Sequence, residues 1–269
     1  MSWIWHHGFE TGHAYDAYLN AIATGGAYGA SGWRVTDDGS GNYPDFASTV
    51  VHSAGSATGG ASSKYSLKLD RTNQTVGPQS IRMSSGGTAQ SFQSFTVSFA
   101  FRADGNVSTA NDPLCIIRTT ADGTAPGPSL MPIATSTGDY ALGISLNNTG
   151  SGATGKTVPT PLEKGKWYWI TFGAYQYLTT RYYRLAINGV TEHKRTDSGS
   201  AATWETFEFG WPGTSSIQNF YIDDVVVHNE SEIFADVNSS FDDPTNLDHY
   251  IFGLPTQRIV NRGSFQDQA

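Results

Sequence analysis

Phe220-Tyr221-Ile222-Asp223-Asp224-Val225-Val226-Val227, late in the chain, and His7-Gly8-Phe9-Glu10-Thr11-Gly12, near its start, decide the fold between them. Each reads as a β-strand that carries carboxylates beside core-forming apolar residues. A carboxylate at the edge of a packed core is costly to leave alone, so it has a partner or a cation. Two such strands, so far apart in sequence, predict that the first and last strands meet and close one domain over everything between them.

The intervening sequence supplies more strands. Phe95, Val97, Phe99 and Phe101 alternate with Thr96, Ser98, Ala100 and Arg102, the pattern of a strand buried on one face only. Strand readings also hold for Tyr65 to Leu69, Leu114 to Thr119, Tyr140 to Leu146, Trp167 to Tyr175 and Trp204 to Phe209. Arg181 to Ile187, then Asn188-Gly189, then Val190 to Lys194, predicts a hairpin, because Asn-Gly suits the mirror-type turn that matches strand twist. Tyr15, Tyr18, Leu19 and Ile22 lie at helical spacing ahead of Gly25-Gly26, which predicts one short helix at 13–23. Many short strands with little helix predict an all-β fold, a two-sheet antiparallel jelly-roll sandwich.

That body is expected to span 1–231. Beyond it, Ser239-Ser240-Phe241-Asp242-Asp243-Pro244-Thr245-Asn246 is rich in turn formers. Tyr250, Ile251, Phe252 and Leu254 then place bulky apolar groups in a segment without strand period. The expectation for 232–269 is an extended, irregular arm whose apolar residues are covered by the body or by a neighbouring subunit.

Composition narrows the function. Only 15% of the 269 residues are charged and 13% are aromatic, a mix that suits short strands and tight turns and argues against coiled coils and disorder. The formal net charge of −8 argues against nucleic acid as a partner, since phosphate binding needs a basic surface. No run reaches the ~20 apolar residues of a membrane helix. Cys115 is the single cysteine, which rules out an intrachain disulfide, and its apolar neighbours predict a small buried side chain. The start of the chain shows no basic region followed by an apolar run, so cytoplasmic synthesis without a signal peptide is expected.

Gly8-Phe9-Glu10-Thr11-Gly12, Gly32-Trp33-Arg34-Val35 and Ser66-Leu67-Lys68-Leu69, in that order, resemble the opening of concanavalin A-like, laminin-G-like jelly rolls. Ser94 to Phe99 looks like their first long core strand. Lys166 to Phe172, followed by Leu185-Ala186-Ile187-Asn188-Gly189, is similar to their central hairpin, and Ile222-Asp223-Asp224-Val225 to their closing strand. The resemblance covers about residues 3–230; its first and last motifs also occur in carbohydrate-binding modules of the galactose-binding type. It implies a binding activity, often toward glycans and commonly with calcium.

Calcium takes several oxygen ligands, carboxylates above all. If the first and last strands adjoin, the resemblance implies that Glu10 with Asp223 or Asp224 supplies them. Adjacent aspartates face opposite sides of a strand, so one of the two would coordinate. Trp33 and Trp211 are the candidates for stacking on a sugar ring. Glycoside hydrolysis needs two carboxylates flanking the scissile bond, and the Glu-x-Asp-x-Glu run of jelly-roll glucanases is absent; Glu205 and Glu208 alternate to opposite sheet faces. Asp197-Ser198-Gly199 before Thr203-Trp204 resembles a sialidase aspartate box with a changed spacing and Arg195 in place of its serine.

The expected function is therefore non-enzymatic. The leading expectation is a bacteriophage virion structural protein (head decoration, head fibre or tail component) whose jelly roll also binds cell-surface glycans. It would form homo-oligomers and join other virion proteins through its arm. The alternative is a carbohydrate-binding module of a secreted protein, and the least favoured is a glycoside hydrolase.

Overall fold

The computed structural model describes residues 2–7, 33–36, 45–47, 66–70, 80–84, 94–104, 114–118, 128–134, 139–146, 161–177, 179–188, 190–198, 206–210 and 219–229. Among the described residues there are fourteen strands and no helix. The larger sheet contains β1 (Ser2–His7), β3 (Asp45–Ala47), β4 (Ser66–Asp70), β6 (Ser94–Ala103), β10 (Tyr168–Tyr177), β11 (Thr180–Ile187), β12 (Val190–Ser198) and β14 (Asn219–Asn229). Its order is β12-β11-β10-β6-β14-β4-β3, with β1 also paired to β14. The smaller sheet contains β2 (Trp33–Thr36), β5 (Ser80–Ser84), β7 (Cys115–Arg118), β8 (Ser129–Ala134), β9 (Tyr140–Ser145) and β13 (Thr206–Phe209), in the order β2-β5-β13-β7-β8-β9. Every pairing between these strands is antiparallel. The expected two-sheet jelly-roll sandwich is the fold.

The first strand does meet the last: His7 stands opposite Val225 and Ser2 opposite Asn229. The strand lies earlier than the quoted motif, which it shares only at His7; Phe9 and Glu10 lie outside the described residues, as does the helix expected at 13–23. β14 is held on one side by β6 along most of its length. On its other side β4 pairs with Asn219 to Ile222, and β1 takes over from Val225.

The core forms where the two sheets face each other. β6 sends Val97, Phe99 and Phe101 into it, joined by Ile170 and Phe172 of β10, Leu185 of β11 and Phe220 and Ile222 of β14. From the smaller sheet come Ile81, Cys115, Leu130, Leu142, Ile144 and Phe209. The ring of Phe99 meets that of Phe209 edge-on across the layers, at 4.8 Å and 79°. Phe101 reaches Tyr140 in the same way at 5.9 Å. Edge-to-face pairs of this kind add about 0.5–1.5 kcal/mol beyond the area they bury.

One expectation needs correction. The alternation in β6 predicts a face open to water, yet Thr96, Ser98 and Ala100 are 5%, 0% and 0% exposed. Trp169 and Thr171 of β10, Arg184 and Ala186 of β11, and Tyr221 and Asp223 of β14 are covered as well. Alternation separates the two faces of a strand, but it cannot say which are covered when the second face is built from small and polar side chains. Strand limits also shift: β12 runs to Ser198 and β13 begins at Thr206.

The hairpin is as expected. Asn188 lies in the left-handed region at φ 50°, as the mirror-type turn requires. Its side-chain oxygen accepts the Trp169 amide at 2.9 Å, and its own N–H donates to the Trp169 carbonyl at 2.8 Å. The turn is thus tied to the neighbouring strand.

Candidate functional site

Glu10, Trp211, Tyr250, Ile251, Phe252 and Leu254, together with the whole segment 232–269, lie outside the described residues. Trp33 begins β2 and stands opposite Met83. Two positions on, Val35 stands opposite Ile81, a core residue.

Asp223 and Asp224 sit at a β-bulge, where the pairing with β6 jumps from Asp223 to Val226. This is also where β4 ends as a partner of β14 and β1 begins. Asp224 takes the left-handed conformation, φ 47°, which Asp tolerates better than most residues. The bulge is stapled locally: the Asp224 N–H donates to Oδ1 of Asp223 at 2.8 Å. Asp223 is wholly covered, and Asp224 is half-buried. Among the described residues no three His, Cys, Asp or Glu side chains gather around a common point. The calcium expectation depends on Glu10, beyond that set.

The second face of the larger sheet carries a covered polar layer. Ser98 and Thr171 stand opposite each other and their hydroxyls lie 3.0 Å apart. Arg184 is 1% exposed, and burial pulls its guanidinium down to about 10. The Ser98–Thr171 pair meets the requirement that buried polar groups be hydrogen-bonded.

At one end of this face a row comes closer to solvent. Lys68 of β4 stands opposite Tyr221 of β14, and Tyr221 opposite Arg102 of β6. Trp167 continues the row on the far side of Arg102, because Tyr168 pairs with Phe101. Lys68, Arg102 and Trp167 are half-buried and Tyr221 keeps 8% exposure. Tyr221 and Trp167 are separated by two strand spacings, roughly 10 Å, with Arg102 at the register position between them.

The turn before β10 holds that row in place. Gly165, at φ 77°, donates its N–H to the Ala103 carbonyl at 2.8 Å. A side chain there would be strained by the backbone conformation alone. The Glu163 N–H donates to the Tyr168 hydroxyl at 2.9 Å, and Lys166 pairs with Glu163 at 2.6 Å. Arg102 grips Asp104 with both ends of its fork, Nε to Oδ1 at 2.6 Å and Nη2 to Oδ2 at 3.0 Å. The result is a planar cation fixed by its own carboxylate, on the strand between the positions of two aromatic residues. Such a combination suits stacking on, and hydrogen bonding to, a neutral polyhydroxylated ring.

The sequence signals only part of this row. Trp167 and Trp169 alternate with Tyr168, Ile170 and Phe172, and Arg102 alternates with Phe101, which fixes their faces. Tyr221 and Lys68 join them through strand register, which no local pattern encodes.

Among the described residues, no group of three carboxylate, histidine or thiol side chains gathers at one point. The two carboxylates that are fully covered, Glu208 and Asp223, belong to different sheets, and each alternates with core residues on its own strand.

No protein-family model matches the sequence, and no curated protein does either. Solved structures do match. One is the catalytic domain of the glycoside hydrolase family 131 protein from Coprinopsis cinerea, with a TM-score of 0.52 at 12% identity, over 86% of this chain and 96% of that one. Another is domain 4 of AbnA, a GH43 extracellular arabinanase from Geobacillus stearothermophilus, solved in complex with arabinotriose. It gives a TM-score of 0.50 at 15% identity, over 85% of this chain and 92% of that one. At such identities the likeness is one of backbone architecture, and it agrees with the concanavalin A-like jelly roll that the sequence resembles.

Proposed function

We propose that this protein is a non-catalytic carbohydrate-binding jelly roll that receives a sugar chain across the row Lys68–Tyr221–Arg102–Trp167. The observation that carries the reading is the Arg102–Asp104 fork, in a cross-strand row with Tyr221 and Trp167 at a half-buried end of a polar sheet face. An aromatic side chain supplies an apolar face for the C–H side of a pyranose or furanose ring. The guanidinium and carboxylate supply donors and acceptors in fixed geometry for its hydroxyls. The arabinanase domain of the same architecture, solved with arabinotriose, makes oligosaccharides of that class the first probes. Binding without hydrolysis is favoured by the missing Glu-x-Asp-x-Glu run. Trp211 remains the aromatic candidate for extending the contact.

Calorimetric titration with arabino-, xylo- and gluco-oligosaccharides tests this reading. The full chain is expected to bind at least one series, Trp167→Ala and Arg102→Ala to lose most of the affinity, and no reducing ends to accumulate. Undiminished binding by both variants would refute the site, and steady release of reducing sugar would refute the non-catalytic assignment. The narrower form of the reading is a bacteriophage virion protein whose arm, with Tyr250, Ile251, Phe252 and Leu254, joins copies or other virion proteins. Removal of 232–269 should then leave the body folded and abolish assembly; normal assembly by the shortened chain would contradict the arm.

A further inference from the structure

β9 is the last strand of the smaller sheet, and a terminal strand normally offers one row of backbone groups to water. All six of its residues are nevertheless buried. Leu162 bridges Tyr140 at the start of the strand, exchanging backbone hydrogen bonds with it, and β9 packs against β11 and β12 at the corresponding edge of the larger sheet. Arg195 of β12 bridges the two edges, donating from Nη1 to the Ile144 carbonyl of β9 at 3.0 Å.

His193 lies two residues before Arg195, on the same face. It sits at a bulge: His193 pairs with Leu185 and Thr191 with Ala186, so Glu192 is the extra residue. A bulge re-aims the side chains beside it. The Nε2 atom of His193 is buried and has no hydrogen-bond partner. A neutral imidazole tolerates this as an acceptor left idle, whereas an imidazolium would bury a charged N–H donor.

The charged and titratable groups that face it, among the described residues, offer no relief. From β12 these are Arg195 and Asp197, with Glu192 beside His193 at the bulge, and from β11 Arg181 and Tyr183. Asp197 is already held by Arg181, with Nη2 at 2.9 and 2.7 Å from its two oxygens. β9 carries no ionisable side chain from Ala141 to Ser145.

We propose that the β9–β12 seam is an acid-sensitive latch, in which a proton on His193 repels Arg195, breaks its bond to Ile144 and lets β12 swing away from the edge of β9. Burial first, and Arg195 second, hold the imidazole below its ordinary value, in agreement with this geometry. Since the folded form resists protonation, the latch is intact above the ordinary imidazole range and weakens as pH falls through and below it.

Amide hydrogen exchange, corrected for the intrinsic pH dependence of the chemistry, reads the latch directly. Between about pH 7.5 and about pH 5, either side of the ordinary imidazole value, the amides of 140–145 and 190–198 should lose protection several-fold. Those of 168–173 in β10 should not. His193→Gln, neutral at both pH values, should remove the acid response, and His193→Phe serves the same purpose if the amide disturbs folding. Arg195→Gln should lower protection of 140–145 at both pH values. An equal acid response in the His193 variants, or a loss spread evenly over both sheets, would overturn the proposal.

Discussion

Replacing Phe99 by Ala should destabilise the sandwich more than any substitution on its rim. Phe99 is fully buried near the middle of β6, and its ring touches Phe209 of the facing sheet at 4.8 Å and Phe101 of its own strand at 6.5 Å. Deleting a buried phenyl ring loses its transfer free energy and leaves a cavity between two sheets that cannot collapse fully, which costs about 3–5 kcal/mol. For a body of this size each kcal/mol moves the melting temperature by roughly 2–4 °C, so a fall of about 6–20 °C is expected. A domain with about 5–15 kcal/mol in hand would still fold. The sharper readout is a double-mutant cycle. Phe99→Ala and Phe209→Ala, singly and together in urea titrations, should show a coupling of about 0.5–1.5 kcal/mol, as for edge-to-face rings in contact. Additive effects would mean that the rings do not meet, and the inter-sheet packing described here would be wrong.

Further expectations follow from buried ionisable groups and from the bulge. Burial pushes the Tyr183 phenol up to about 12, so above about pH 10 the unfolded chain releases its proton first and stability falls; Tyr183→Phe should flatten the drop in urea midpoint between about pH 10 and 11, and an identical slope would refute it. Burial, aided by the charge of Glu208, also pushes the Cys115 thiol up. The folded protein should therefore resist alkylation at pH 8 and react on unfolding, whereas rapid native labelling would contradict its place in the core. If Glu10 and Asp223 or Asp224 hold calcium, chelation should lower the melting temperature and Glu10→Ala should erase that sensitivity; an unchanged melting curve would remove the site.

Much of the larger sheet is legible because its central strands keep period two over many residues. In β6 and β10, and in β14 up to its bulge, the phenyl and branched aliphatic groups fall on one side, and Asn188-Gly189 announces the turn between β11 and β12. The closure of the fold by β1 on β14 is legible from the two end motifs, although the strand itself lies at Ser2–His7. β3, with three residues, is too short to carry a period. β8 contains Pro132, which argues against a strand. It is accommodated because β7 pairs only with Ser129 and Leu130, leaving the edge beside Pro132 without that partner. β5 alternates Ile81 with Arg82 and Met83 with Ser84, a run too brief to separate from a loop. The covered second face is the deepest omission. Small and polar groups such as Thr96, Ser98 and Thr171 look like water-facing residues, and only tertiary structure shows them enclosed. The same holds for the proposed sugar-binding row, whose members lie on β4, β6 and β14 and just ahead of β10 and become neighbours through register alone.

A sugar lying across the end of the larger sheet is the central proposal for this protein. Chemical-shift mapping of backbone amides and of the Trp167 indole, during titration with the oligosaccharide found to bind best, tests it most directly. Shifts centred on Lys68, Arg102, Trp167 and Tyr221 are predicted. A saturable response centred on the smaller sheet, with that row unmoved, would contradict it.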